Sequence, residues 1–153
     1  MIDGAEVAQI ASRFIGVHEA VGPSANNPFI VWALSLCGLE GATDEVPWCS
    51  AFVNAIAFMG GLQRTRSASA RSWLAVGVPV PAPLAMPGDI VILKRGTGPQ
   101  PGADVLNAPG HVGICIGPHN GDIQIVGGNQ HDAVSIASFP AADILGVRRL
   151  RSV

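Results

Sequence analysis

Charge is scarce in this chain: 13% of its 153 residues are Asp, Glu, Lys or Arg, the formal net charge is −2, and neither sign forms a long run. A nucleic-acid or membrane-surface binder that works by electrostatics needs a concentrated charged face, so that class is excluded. Long uncharged apolar runs are missing as well. None approaches the ~20 residues of a bilayer-spanning helix, and no membrane insertion is expected. Met1-Ile2-Asp3-Gly4-Ala5-Glu6 has no basic segment followed by an apolar one, which predicts synthesis in the cytoplasm without a secretory signal. Cysteine is sparse and odd in number. Cys37, Cys49 and Cys115 share no CxxC spacing, which argues against a disulfide framework or a zinc ribbon. There is no internal repeat and no dividing linker.

Hydrophobic residues make up 48% of the chain, enough for a packed core, and its length suits one domain spanning residues 1–153. The first half reads as helices, over about 1–76. Residues 3–16 place Val7, Ile10, Ala11, Phe14 and Ile15 on one side, with Gly16 as a stop. Residues 17–28 read as a loop. Pro28 suits the first turn of a second helix running to about Cys37, which is read as a packing cysteine. Residues 67–74 predict a short helix capped by Ser67, and the proline-rich stretch 78–84 an extended crossing. From about 88 to 150 the period is that of strands: 89–94, 111–117, 122–126, 134–138 and 144–150. Turns fall at 96–99, at 118–121, where Asn120-Gly121 is a strong hairpin signal, and at 127–129. Helices followed by antiparallel strands predict an α+β domain, with helices on one face of a five- to six-stranded sheet.

The stretch Pro47-Trp48-Cys49-Ser50-Ala51-Phe52-Val53 organises the rest. Apolar residues at 52, 53, 56 and 59 recur at helical spacing up to Gly60-Gly61. Cys49 therefore falls in the first turn of a core helix, where free N–H groups and the positive end of the helix dipole favour a thiolate. It is either a nucleophile or a small buried hydrophobe, and the choice depends on a base.

Among His18, His111, His119 and His131, the strand Gly110-His111-Val112-Gly113-Ile114-Cys115-Ile116-Gly117 singles out His111. Val112, Ile114 and Ile116 share one face. His111, Gly113, Cys115 and Gly117 share the other, whose small residues would let the Cys49 helix approach closely. That would bring thiol and imidazole together as nucleophilic catalysis requires; the alternative is an ordinary strand-end histidine. A zinc site on His111, Cys115 and His119 fails on distance, because residues four apart on a strand lie roughly 13 Å from one another. His119 and His131 read as solvated turn residues. A base also needs an orienting partner. Asn129 is the first choice, Gln130 the second and Asp132 a weaker one. An isolated asparagine beside glycines is otherwise ordinary turn chemistry.

Taken in order, five segments resemble the NlpC-type and CHAP cysteine peptidases and amidases, and within them single-domain phage and prophage endolysins. They are Asp44-Glu45-Val46-Pro47-Trp48-Cys49-Ser50-Ala51-Phe52-Val53, Ala70-Arg71-Ser72-Trp73-Leu74, Pro87-Gly88-Asp89-Ile90-Val91, Gly110-His111-Val112-Gly113 and Gly127-Gly128-Asn129-Gln130. Gly16-Val17-His18-Glu19, Asn27-Pro28 and Gly146-Val147-Arg148-Arg149 also fit, so the likeness spans nearly the whole chain. It implies a papain-like α+β core and hydrolysis of a peptidoglycan amide bond, with Cys49 as nucleophile, His111 as base and Asn129 orienting the histidine. No metal or other cofactor is implied. CHAP enzymes often carry a glutamate two residues before that asparagine; Gly127 stands here, so a three-residue NlpC-like site describes the chain better.

The backbone N–H of Cys49 would hold the oxyanion, with Asp44, Glu45 or Trp48 shaping the cleft. Trp48 and Trp73 also have a plain packing role open to them. Arg71 is a candidate for a stem-peptide carboxylate, or else lies on a solvated helix face. Glu19 and Gln130 complete the candidate substrate contacts. The expected partner is the peptidoglycan stem peptide, met by a monomer that reaches the wall through a holin or secretion apparatus. Competing readings on the same fold are an antibacterial amidase effector and a Cys–His acyltransferase. A non-enzyme reading is a wall-binding domain with a dead site.

Overall fold

A computed structural model describes residues 2–22 and 25–153; Met1 and, in the expected loop 17–28, Pro23 and Ser24 lie outside the described residues. Three α-helices come first: α1 (Gly4–Ser12), α2 (Pro28–Ser35) and α3 (Cys49–Met59). Asp3 caps α1 in a reciprocal box with Glu6. The Asn27 side chain accepts from the Phe29 N–H to cap α2, with Pro28 in the first turn. α1 ends four residues before Gly16, so Ile15 leaves the apolar stripe and is 44% exposed. α3 runs to a cap at Gly60, as the glycine pair suggests.

Six strands follow: β1 (Val78–Val80), β2 (Ile90–Leu93), β3 (His111–His119), β4 (Asp122–Gln130), β5 (Ala133–Phe139) and β6 (Ile144–Arg149). They form one antiparallel sheet in the order β1-β6-β2-β3-β4-β5. The α+β architecture is as expected. At one edge β1 is three residues long with Pro79 at its centre. At the other, residues 16–19 lie against the start of β5: Val134 accepts from the Gly16 N–H and donates to Val17, and His18 bridges Ala133.

Three local expectations change. The 67–74 helix is a 3-10 helix over Ala70–Ala75 that follows Ser69. Ser67 serves instead as an anchor, its carbonyl accepting from Ser50 Oγ at 2.6 Å and Asn54 Nδ2 at 3.3 Å beneath α3. The proline-rich crossing contains a 3-10 turn at Ala82–Leu84, since proline is tolerated at the start of a helical turn. Gly127-Gly128-Asn129 is not a turn but part of β4, and the chain reverses two residues later at His131-Asp132, both at positive φ.

The helices cover one face of the sheet. There Phe52, Val53 and Ile56 of α3 share a buried core with Val112, Ile114 and Val126. A smaller cluster of Val91, Leu93, Cys115, Ile123 and Ile125 fills the opposite face. α3 thus packs on the branched face of β3 and not on the small-residue face expected for it. The larger side chains give more apolar area to bury, and the space beside Gly113 on the other face is filled by the Ile125 side chain, whose Cδ1 lies 2.5 Å from where a Cβ would stand.

Candidate active site

Cys49 opens α3, the first residue of a helix whose start is braced from below. Asn54 Nδ2 donates to the Ser50 carbonyl, Asn54 Oδ1 accepts from the Arg66 N–H, and Trp73 Nε1 donates to Ser50 Oγ at 2.9 Å. The start of the helix sits over Gly128 of β4. A Cβ there would lie 2.7–2.8 Å from Trp48 and Phe52, so only glycine admits the helix this close. Trp48 is fully buried, and its indole N–H donates to Glu19 Oε2 at 3.4 Å. It is packing and not a substrate platform, and Trp73 is equally buried.

The β3–β4 ladder parts beneath this point. Pairing begins at Ile114↔Val126, leaving residues 111–113 and 127–130 apart. A side chain spans the gap: His111 Nε2 meets Gln130 Oε1 at 2.9 Å. Gln130 Nε2 donates to the carbonyl and hydroxyl of Ser135 at 2.8 and 3.0 Å. A carbonyl only accepts, so the amide NH₂ must face Ser135 and its oxygen must face the histidine. In the neutral ring His111 Nε2 then carries the proton, and Nδ1 is the basic nitrogen. Gly127 makes this possible, because its missing Cβ leaves room for the Gln130 carboxamide.

Gln130, the second choice, is therefore the residue bonded to His111. Asn129 lines the same cleft at φ 57°, where β4 bulges between Gly127 and Gln130. Among the described residues, no hydrogen bond joins it to the ring. Ser135 was missed; it reaches the site only through strand pairing that local patterning does not reveal.

Cys49 is 3% exposed. Burial pushes its thiol above its ordinary value, outweighing the backbone N–H groups of Val112, Ser50 and Cys49 and the nearby Arg95, which pull it down. The helix-start effect expected to favour a thiolate is present and is outweighed. Burial likewise lowers His111; the Gln130 bond opposes this, and Arg95 adds to it. Both shifts favour the neutral forms. The thiol lies against the backbone of Val112, one residue from His111. Among the described residues no hydrogen bond joins Cys49 to the His111 ring, as is common before substrate tightens such a site.

The remaining candidates are dispersed. Arg71 is fully buried and donates to four backbone carbonyls: Pro109 from Nε at 2.9 Å, Gly102 and Val105 from Nη1 at 2.8 and 2.9 Å, and Pro101 from Nη2 at 3.0 Å. It is neither solvated nor open to a substrate carboxylate; it holds the 94–110 segment that leads into His111. Asp44, buried, accepts from the Ala20 and Asn27 N–H groups and ties the early loop down. Glu45 is exposed in the turn before α3. Burial raises the Glu19 carboxyl, the Trp48 bond opposes this, and neighbouring Asp132 adds to it.

A cleft of about 370 Å³ opens on His111, lined also by Lys94, Arg95, Asn129, Gln130 and Ser135; Cys49 lies outside its walls. Among the described residues, no three His, Cys, Asp or Glu side chains converge to hold a metal. Among the described residues no helix is long and apolar enough to cross a membrane.

Helices packed on one face of a six-stranded antiparallel sheet make an α+β fold shared with solved NlpC/P60 proteins. Solved structures place this chain in that fold. NlpC1 of Trichomonas vaginalis superposes with a TM-score of 0.60 at 16% identity, over 99% of this chain and 47% of that one. NlpC2 of the same organism gives 0.59 at 15% identity, over 99% and 50%. An NlpC/P60 family protein from Bacillus cereus gives 0.57 at 16%, over 97% and 40%. The chain thus spans half or less of the length of these proteins. No protein-family model and no curated protein sequence matches it.

Proposed function

We propose that the chain is a peptidoglycan hydrolase that cuts an amide bond of the stem peptide through Cys49, His111 and Gln130. The observation that carries this reading is the locked tautomer. Ser135 orients Gln130, Gln130 accepts the Nε2 proton of His111, and Nδ1 remains as the base on the strand against which the Cys49 thiol rests. From a neutral resting pair, His111 takes the thiol proton as sulfur attacks the carbonyl carbon. The backbone N–H of Cys49 steadies the oxyanion, the imidazolium returns its proton to the leaving amine, and water then releases the acyl group. The motif resemblance and the NlpC/P60 fold support a cell-wall substrate. Lysis by a phage-derived enzyme, acting on the wall after release from the cytoplasm, is the biological setting that accords with the motifs.

The test is incubation of the protein and its Cys49→Ala variant with isolated peptidoglycan, reading released fragments by mass spectrometry. New amine and carboxyl ends with the unaltered protein alone are the expected result, and they name the bond. Fragments from both proteins, or from neither, would remove Cys49 as nucleophile. Transfer of the acyl group to an added amine in place of water would favour the acyltransferase.

A further inference from the structure

The cleft on His111 carries two cations, Lys94 and Arg95, and among the described residues no acidic side chain lines it. Arg95 is exposed and forms no salt bridge among the described residues, yet it stands close enough to act electrostatically on both Cys49 and His111. An arginine in such a place is costly to leave idle, since it lowers the basicity of the very histidine the site uses.

Its backbone is also held by a neighbouring side chain. Gln100 folds back on it, its Oε1 accepting from the Arg95 N–H at 2.8 Å and its Nε2 donating to the Arg95 carbonyl at 2.6 Å. The next two residues, Pro101 and Gly102, give their carbonyls to the buried guanidinium of Arg71. Charge-assisted bonds from Arg71 to Pro101 and Gly102, followed by the neutral amide bonds of Gln100, thus link the core to the Arg95 backbone. Arg71 is held by carbonyl dipoles and not by a carboxylate, and Asp104, the acid of this loop, does not line the cleft.

We infer that Arg95 is the substrate-carboxylate anchor of the cleft, with Arg71 and Gln100 as positioning residues that fix its loop. The ligand class is a peptide bearing a free carboxylate beside the scissile amide. This deepens the hydrolase reading and rests on it for the identity of the peptide. A guanidinium offers two parallel N–H donors to a carboxylate, and preordering its backbone reduces the entropy lost on binding.

The test measures binding apart from turnover. The Cys49→Ala protein is titrated calorimetrically with a synthetic stem peptide whose carboxyls are free, and with the same peptide fully amidated. The free form is expected to bind about tenfold or more tightly. Adding Arg95→Gln, an exposed change that leaves the core intact, should erase the preference, and Arg95→Lys should keep part of it. A preference that survives Arg95→Gln, equal binding of the two peptides, or binding of neither overturns the proposal. Turnover of the unaltered protein on peptidoglycan reports separately. Arg95-dependent binding without cleavage would sink the hydrolase reading alone, and cleavage with no Arg95 dependence would sink only this one.

Discussion

The two ends of the β3–β4 hairpin are built from the same strands and behave in opposite ways. At the far end the ladder runs to His119↔Asp122 and closes through Asn120-Gly121, both at positive φ, a compact turn that satisfies its own backbone. At the near end the ladder stops at Ile114↔Val126, two glycines stand where side chains would clash, and a carboxamide spans the gap in place of backbone. Regular pairing uses up its hydrogen-bonding groups. A parted ladder leaves room for a helix start, an imidazole and its partner, and the candidate site lies there.

The largest expected effect on this contrast is catalytic. Gln130→Ala strips the acceptor from a largely buried imidazole N–H and should lower kcat/KM about 100-fold or more, while Asn129→Ala should stay within a few-fold. Steady-state rates on a released-fragment assay decide it, and equal losses would return the orienting role to Asn129.

Next comes packing. Gly128→Ala forces a methyl to 2.7–2.8 Å from Trp48 and Phe52, an overpacking cost of about 1–3 kcal/mol. Gly121→Ala at the far end meets nothing within 4 Å and pays only for φ 84°, about 1 kcal/mol. Thermal melts of the two variants should differ by several degrees, and the reverse order would mean that the helix start yields more easily than its contacts indicate.

The smallest effect is on pH. In the folded chain His111 titrates below its usual 6.5, so just under that value the unfolded chain binds more protons and stability should rise with pH before levelling. Cys49 and Cys115 keep their protons beyond the ordinary 9.0 when folded, and Cys37 is pushed up to about 11 by burial. Above about 9 the unfolded chain releases protons first, so stability should fall. Denaturant midpoints across pH 5–10 would show a plateau between these limits, and a maximum on either flank would contradict the neutral resting pair.

Much of the fold was legible because it obeys short-range rules. The periodic stripe of α3, Pro28 after an asparagine cap, and the alternation of β3 each announce themselves within a dozen residues. The positions of Cys49 and His111, each at the start of a well-patterned element, were legible for the same reason. What escaped depends on approach between distant parts. Glycines 127 and 128 looked like a turn, and nothing local says that one makes room for Gln130 and the other for Trp48. The choice between Asn129 and Gln130 turned on a bulge that changes which side chain faces the ring. Arg71 looked like a surface residue because four carbonyls some thirty positions downstream cannot be seen from its neighbours.

The sheet's edges bear on how this protein behaves at high concentration. Exposed strand edges invite other chains to add on and seed aggregates. At β1, Pro79 supplies no N–H and three residues give little to template. At β5, residues 16–19 already occupy the start of the edge. What is left open is the stretch from Ser135 to Phe139, where exposed Ile136 lies between Ser135 and Ala137. Aggregation under crowding should therefore start there, and a lysine at position 136 would be the simplest way to suppress it.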